Sequence, residues 1–433
     1  MILLLLGYMW LYIHRPFEIW HRLGDVAFER MYILTCAILW FFLHKKSCIR
    51  NINVLGVFVV TAAILISDFM TNTTGKMNPV VEEWLKIMFF TILLMTCVRD
   101  ETELRVLLVG FTVIFFGYML HSFYEFKVND RFVYRMGIPR LCGIGETMSD
   151  PNSFSASIVY FLPVLVPIWM VMRGIAAIPV RLFVIAAFSL AVICITYTGS
   201  RSAFVGLLAY IFLAVAVSKN RWKILAASAV LLPIIWGSMD QRLQNRYMTL
   251  IDPSRGPKNA QASAEGRIEG FKVGMELYRK SPVYGFGPGN AQHYISSKLQ
   301  THNFLGQVAG EMGSIGLAAY AFLCFCFTTN YLYSRFYWKI LTTRCPTADP
   351  WLFQVSQAIF LALILLLLMG LGSHNAFRYT WVWYAMFQSM AVAALKKKTE
   401  DYIREQNEIP VADTIDVSVS GQTAISRPVP QTL

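Results

Sequence analysis

Charge is what this sequence has least of. Only 15% of its 433 residues are Asp, Glu, Lys or Arg, against about 25% in soluble domains, which argues against a large water-soluble enzyme. Hydrophobic residues make up 56%, and that excludes disorder over most of the length. The eight cysteines are scattered, with no Cys-x-x-Cys, and Cys324 and Cys326 stand two apart in an apolar segment. Such spacing fits neither a disulfide framework nor a zinc site. No Gly-Lys-Ser/Thr occurs, so a P-loop is excluded. The net charge of +12 would suit a nucleic-acid partner. However, the basic residues stand in short clusters between apolar runs, as topology signals do, so no nucleic acid is expected.

What is present is long and apolar. Runs are centred at 1–13, 26–43, 53–70, 84–98, 105–120, 154–172, 182–197, 203–217, 222–236, 304–333, 352–372 and 380–395. A membrane-crossing helix takes about 20 such residues. The expected fold class is therefore an all-α polytopic membrane protein of about 12 transmembrane helices. The first run has no basic stretch before it and no small-residue cleavage site after it, so it reads as a span. Basic clusters at Lys45-Lys46, Arg99, Arg173, Lys219, Lys339 and Lys396-Lys397-Lys398 all fall on one side if every run crosses. That places both termini in the cytoplasm. Residues 1–399 form the bundle in this reading, and the polar stretch 400–433 a disordered cytoplasmic tail.

The opposite side carries one large loop, 237–302, with nine Lys and Arg against five Asp and Glu. Long connections are commonly functional, and a basic external loop suits an anionic ligand at the membrane surface; plain solubility is the alternative. Within it, Ile268, Phe271, Met275 and Tyr278 share one face of a helical pattern, and Glu269, Lys272, Glu276 and Arg279 the other. Short amphipathic helices lying on the membrane or on the bundle mouth are expected. Gly285-Phe286-Gly287-Pro288-Gly289-Asn290 reads as tight turns whose N–H groups could face an anion, or simply as turns.

Four further positions carry candidate chemistry. Thr301 is a reasonable helix N-cap, which would put His302 in a first turn. Read alone, His302 is either a base near neutral pH or an interfacial side chain without chemistry. Glu311 lies inside an apolar run, where a carboxylate is costly and needs a partner or a function. Arg201, in the hairpin Thr198-Gly199-Ser200-Arg201-Ser202, is held at the membrane boundary with a hydroxyl on either side. It could grip a phosphate bidentately or snorkel to headgroups.

Thr198-Gly199-Ser200-Arg201-Ser202, Gly266-Arg267, Ser281-Pro282-Val283-Tyr284-Gly285-Phe286-Gly287, Thr301-His302-Asn303 and Glu311-Met312-Gly313 occur in that order. Together with Asp150-Pro151-Asn152 and Arg15-Pro16, they resemble the O-antigen ligase / O-antigen polymerase superfamily over about 140–320. Phe271 stands where many members have Trp. The resemblance implies transfer of a glycan from undecaprenyl diphosphate to an acceptor hydroxyl, at the periplasmic face of a bacterial inner membrane. It implies an inverting, metal-independent glycosyltransferase with no cofactor. His302, Arg201 and Arg267 would be catalytic. Arg140, Asn152, Ser200, Ser202, Gly285, Gly287, Asn303 and Glu311 would bind substrate.

The implied partners are the lipid-linked donor, a lipid A-core, glycan or protein acceptor, membrane lipids and a chain-length regulator. A ligase is the first reading and a polymerase of O-antigen, capsule or exopolysaccharide repeat units the second. A polysaccharide or lipid transporter is a third. A transporter predicts an internal repeat and mid-membrane charges in both halves, whereas here the charged candidates crowd at the outer edge of the second half.

Overall fold

A computed structural model describes the chain except residues 21, 23–26, 43–49, 74, 136, 146–147, 253–258, 295–301 and 409–433, and except the side chains of 259–265 and 407–408. Helices cover every apolar run. They are α1 (Ile2–His14), α2 (Pro16–Ile19), α3 (Phe28–Phe41), α4 (Ile52–Thr71), α5 (Pro79–Cys97) and α6 (Glu101–Val128). After a hairpin of β1 (Phe132–Arg135) and β2 (Ile138–Leu141) come α7 (Pro151–Phe161), α8 (Leu165–Trp169), α9 (Ala177–Thr198), α10 (Arg201–Val217) and α11 (Arg221–Ser238). The long loop supplies α12 (Gln241–Met248) and α13 (Asn259–Lys280), followed by α14 (Phe304–Arg344), α15 (Trp351–Gly370) and α16 (Tyr379–Glu408).

Six of these segments are long and apolar enough to cross a membrane: α4, α6, α7–α8, α9, α14 and α15. The other runs fall short for visible reasons. Helices α1, α3 and α10 have 13, 14 and 17 residues, the first turns of α5 carry Glu82, Glu83 and Lys86, α11 opens on Arg221 and Lys223, and α16 mixes Thr380, Gln388, Ser389 and Lys396 into its apolar stretch. The architecture is thus an all-α membrane bundle. Helix α16 continues to Glu408, past position 400 where a disordered tail was expected to begin; the rest of that stretch lies outside the described residues. The β1–β2 hairpin, which pairs Phe132 with Leu141 and Val133 with Arg140, was not foreseen. Its turn rests on Gly137 at φ 76°, a conformation that glycine adopts without strain.

Helix α14 is the centre of the bundle, packed on α4, α13, α15 and α16. Polar side chains help to fix its neighbours: Asn53 Nδ2 donates to Gln388 Oε1 at 2.9 Å, and Gln388 Nε2 to the Phe327 carbonyl at 3.2 Å. Such bonds between buried helices contribute about 0.6 kcal/mol each.

The break in α14 shapes the functional end. Gly313 is non-helical (φ 62°, ψ −153°), so the carbonyls of Gly310 and Glu311 lose their intrahelical donors. The glycine-rich segment replaces them. Phe286 N–H donates to Gly310 O at 3.0 Å and Gly287 N–H to Glu311 O at 2.8 Å, while Ser314 and Ile315 N–H donate to Pro282 O and Val283 O. Broken helices persist in an apolar bundle only when the freed backbone groups find such partners. Contact this close leaves no room for side chains: a Cβ on Gly285 would lie 2.3 Å from the Glu311 carbonyl carbon, and Gly285 has φ +70°. Gly285→Ala is therefore expected to destabilise the chain by at least about 2 kcal/mol, read as a lowered thermal midpoint in detergent. An unchanged midpoint would contradict this docking.

Candidate active site

The sequence Thr198-Gly199-Ser200 turns the chain sharply between two helices. Gly199 closes α9 in the left-handed region at φ 56°, and Ser200 is the N-cap residue of α10. The Ser200 hydroxyl does not cap the helix; it meets the Ser202 hydroxyl at 3.2 Å. Arg201 is thereby the first residue of α10, and its Nη1 donates to Thr249 Oγ1 at 3.0 Å. Arg267, on α13, reaches the same corner and donates from Nη2 to Ser202 Oγ at 3.4 Å.

Arg140 arrives from the hairpin. It is 2% exposed, with Nε donating to the Thr198 carbonyl at 2.6 Å and Nη2 to Asn152 Oδ1 at 2.8 Å. Asn152 is held in the first turn of α7, which Asp150 caps by accepting from the N–H groups of Asn152 and Ser153. A fourth guanidinium, which the sequence reading did not single out, completes the cluster: Arg246 of α12 donates from Nε to the Gly199 carbonyl. Its only sequence signal is its place in the basic loop.

Four arginines thus gather around one hairpin. Burial pushes the pKa of Arg140 and of Arg246 down to about 10, and the positive charges of Arg140 and Arg201 contribute at Arg246. Arg267 is likewise lowered by burial and then by Arg201. Asp150 is the acidic group that acts on Arg140, Arg267 and His302, and its carboxylate already serves the helix cap. The guanidinium charges act on one another, and an anion placed among them would be gripped by several forks at once.

His302 stands beside this cluster. It precedes α14 rather than sitting in its first turn, because the N-cap is Asn303, whose Oδ1 accepts from Gly306 N–H at 2.9 Å. Thr301, expected as the cap, lies outside the described residues. His302 is solvent-exposed, yet desolvation by the surrounding helices is the largest cause lowering its pKa, opposed by Asp150 and reinforced by Arg267 and Arg135. Its ring lies 5.4 Å from that of His374, a second histidine that the sequence reading missed.

The remaining expected ligands serve the scaffold. Both ends of the Asn303 amide are used, since Nδ2 also donates to the Leu371 carbonyl at 3.1 Å. The Gly285 and Gly287 amides do not face an anion: Gly285 N–H donates to Ser281 O, and Gly287 N–H to Glu311 O. Glu311 has partners of its own, its Oε2 accepting from Gly289 N–H at 2.9 Å and Gln307 Nε2 at 3.4 Å. Helix α13 also departs from expectation. Gly270, Gly274 and Leu277 are its buried positions, while Ile268 and Phe271 are exposed. A Cβ on Gly274 would lie 2.2 Å from the Gly306 carbonyl oxygen. Small residues let the two helix backbones touch, while Ile268 and Phe271 stay exposed and Leu277 is buried.

Residues 185–321 match the family model described as O-Antigen ligase. This segment resembles the O-antigen ligase family. The match supports the superfamily read from the motifs, and with it a membrane glycan transferase of ligase or polymerase type. No curated protein matches the chain. Of the clustered groups, Arg201, Arg246, Arg267 and His302 lie inside the ligase-family segment, whereas Arg140, Asn152 and His374 lie outside it.

Arg246→Ala removes both the anchor on Gly199 and one charge of the cluster. Transfer is expected to fall about 10–100-fold, with partial recovery in Arg246→Lys, because one oriented donor is typically worth that much or more. Rates of glycan transfer by the purified variants measure this; wild-type rates in Arg246→Ala would exclude a role.

Proposed function

We propose that the chain transfers a glycan from undecaprenyl diphosphate to an acceptor hydroxyl, at the membrane surface where Arg140, Arg201, Arg246 and Arg267 converge. The observation that carries this reading is the convergence of four guanidinium groups on one helix hairpin, each within reach of its neighbours' charge. A diphosphate carries the opposite charge and offers oxygens to several forks at once. In the reaction the acceptor O–H attacks the anomeric carbon, and the anomeric C–O bond to phosphate breaks. The electron pair leaves on undecaprenyl diphosphate, and the acceptor proton passes to His302. Charge growing on the leaving diphosphate is then met by the arginines, which is where fixed charges accelerate most.

A low pKa keeps His302 neutral near pH 7, as a general base requires. One displacement inverts the anomeric centre, and these groups do the work without a metal or cofactor. The site would face the periplasm in a twelve-span, inner-membrane arrangement with both termini cytoplasmic. The ligase reading takes lipid A-core as acceptor; the polymerase reading takes another lipid-linked repeat unit, and the family match accommodates both. Nuclear magnetic resonance of the product tests the chemistry: inversion of the donor's anomeric configuration is expected, and retention would eliminate the single displacement.

A further inference from the structure

A cavity of about 350 Å³, its wall mostly apolar but carrying several charged groups, lies against the same end of the bundle, lined among others by Tyr12, Arg15, Glu83, Glu311, His374 and Phe377. Three of the eight buried side-chain atoms without a hydrogen-bond partner among the described residues belong to its lining: Arg15 Nε, His374 Nδ1 and Glu83 Oε2, the last facing Arg15 Nη2 only at ion-pair distance, 3.7 Å. Buried polar atoms are rarely left unpaired, and a group of them around one cavity calls for a ligand that supplies donors and acceptors together. The lining charges balance, with Arg15 and Arg378 against Glu83 and Glu311, and the ion-pair partners Glu18 of Arg15 and Lys86 of Glu83 add one of each sign. A diphosphate has no reason to prefer this chamber over the arginine cluster. Its walls are aromatic: Tyr12 and Tyr379 meet edge to face with centroids 5.5 Å apart, and Phe377 adds a third ring. Balanced hydrogen-bonding groups set in an aromatic wall suit an uncharged polyhydroxyl compound, and the volume is within the range of small-ligand sites.

His374 joins this cavity to the reaction centre, with its ring 5.4 Å from that of His302. We propose that the cavity is the acceptor subsite and holds the hydroxyl-bearing end of the acceptor glycan. The proposal rests on the transferase reading above. Donor and acceptor would then approach the histidine pair from two sides, as an in-line displacement needs. The division also follows the chain. Arg201, Arg246 and Arg267 lie within the matched segment 185–321, while Tyr12, Arg15, Glu83 and His374 lie outside it. Helix α1 and the start of α5 therefore contribute to acceptor recognition.

Two soluble glycans serve as probes: deacylated lipid A-core oligosaccharide, and the repeat-unit oligosaccharide released from its lipid carrier. Each is titrated onto the purified full chain in amphipol, without donor. Saturable binding of one of them is expected, weakened at least ten-fold by Glu83→Gln and by Phe377→Ala, and not displaced by inorganic diphosphate. Both substitutions sit on partly exposed positions, and size-exclusion profiles confirm that the variants remain folded. In transfer assays the same variants should raise the KM for acceptor and leave the KM for donor within two-fold. Binding of neither probe, binding insensitive to both substitutions, or displacement by diphosphate would overturn the assignment. A chain that binds a probe as described but transfers nothing keeps its glycan site and loses the transferase reading.

Discussion

Arg201→Ala is expected to lower glycan transfer by about 10²–10³-fold, the loss typical of removing one oriented charge-stabilising donor, without loss of membrane insertion. Arg201 earns this weight by position. It is the first residue of α10, fixed by the left-handed Gly199 turn behind it and by its bond to Thr249 Oγ1. Its charge bears on Arg246 and Arg267, so its removal loosens the electrostatic demand of the whole cluster. Arg201→Lys keeps the charge and loses the fork, and should recover only part of the rate. Affinity for undecaprenyl diphosphate, measured in parallel, should fall with the rate in Arg201→Ala. A variant with wild-type transfer would remove Arg201 from the site.

His302→Ala should be as damaging to turnover but should affect donor affinity less, because the histidine is assigned to the acceptor proton. General-base catalysis is worth about 10²–10⁴-fold. The pH dependence carries its own sign. The His302 pKa is lowered from the ordinary 6.5, and the neutral ring is the active form. Transfer per free enzyme should therefore be flat around pH 7 and fall only as pH drops below the ordinary histidine range. A profile still rising between pH 7 and 8 would indicate a different base. The His302→Ala variant should lose this acid limb together with its rate.

The helices and part of the arginine cluster were legible in the sequence, for physical reasons. Apolar runs fold as helices in a bilayer because every backbone group must be paired internally, so each run has its helix. Whether each of the twelve crosses is harder to read, since the 13-residue α1 and the charged first turns of α5 are weak spans by themselves. Arg201 and Arg267 were legible because arginines among hydroxyls and glycines at a loop edge have few structural uses. Arg246 and His374 were not legible, since nothing local separates them from other loop residues, and only tertiary packing brings them to Gly199 and His302. The glycine segment misled in the other direction. Its amides looked ready for an anion, but the break at Gly313 freed carbonyls that those amides satisfy. A sequence shows a turn; it does not show which distant helix is broken beside it.

In the proposed reaction, departure of the diphosphate at the arginine cluster drives the transfer. The most direct measurement is the purified full chain in detergent with undecaprenyl-diphosphate-linked glycan and an acceptor glycan. Release of undecaprenyl diphosphate in step with extended acceptor is predicted, abolished in Arg201→Ala and in His302→Ala. Intact donor after prolonged incubation with the wild-type chain, while the same chain moves lipid-linked glycan between leaflets of sealed vesicles, would contradict the account and make the protein a transporter.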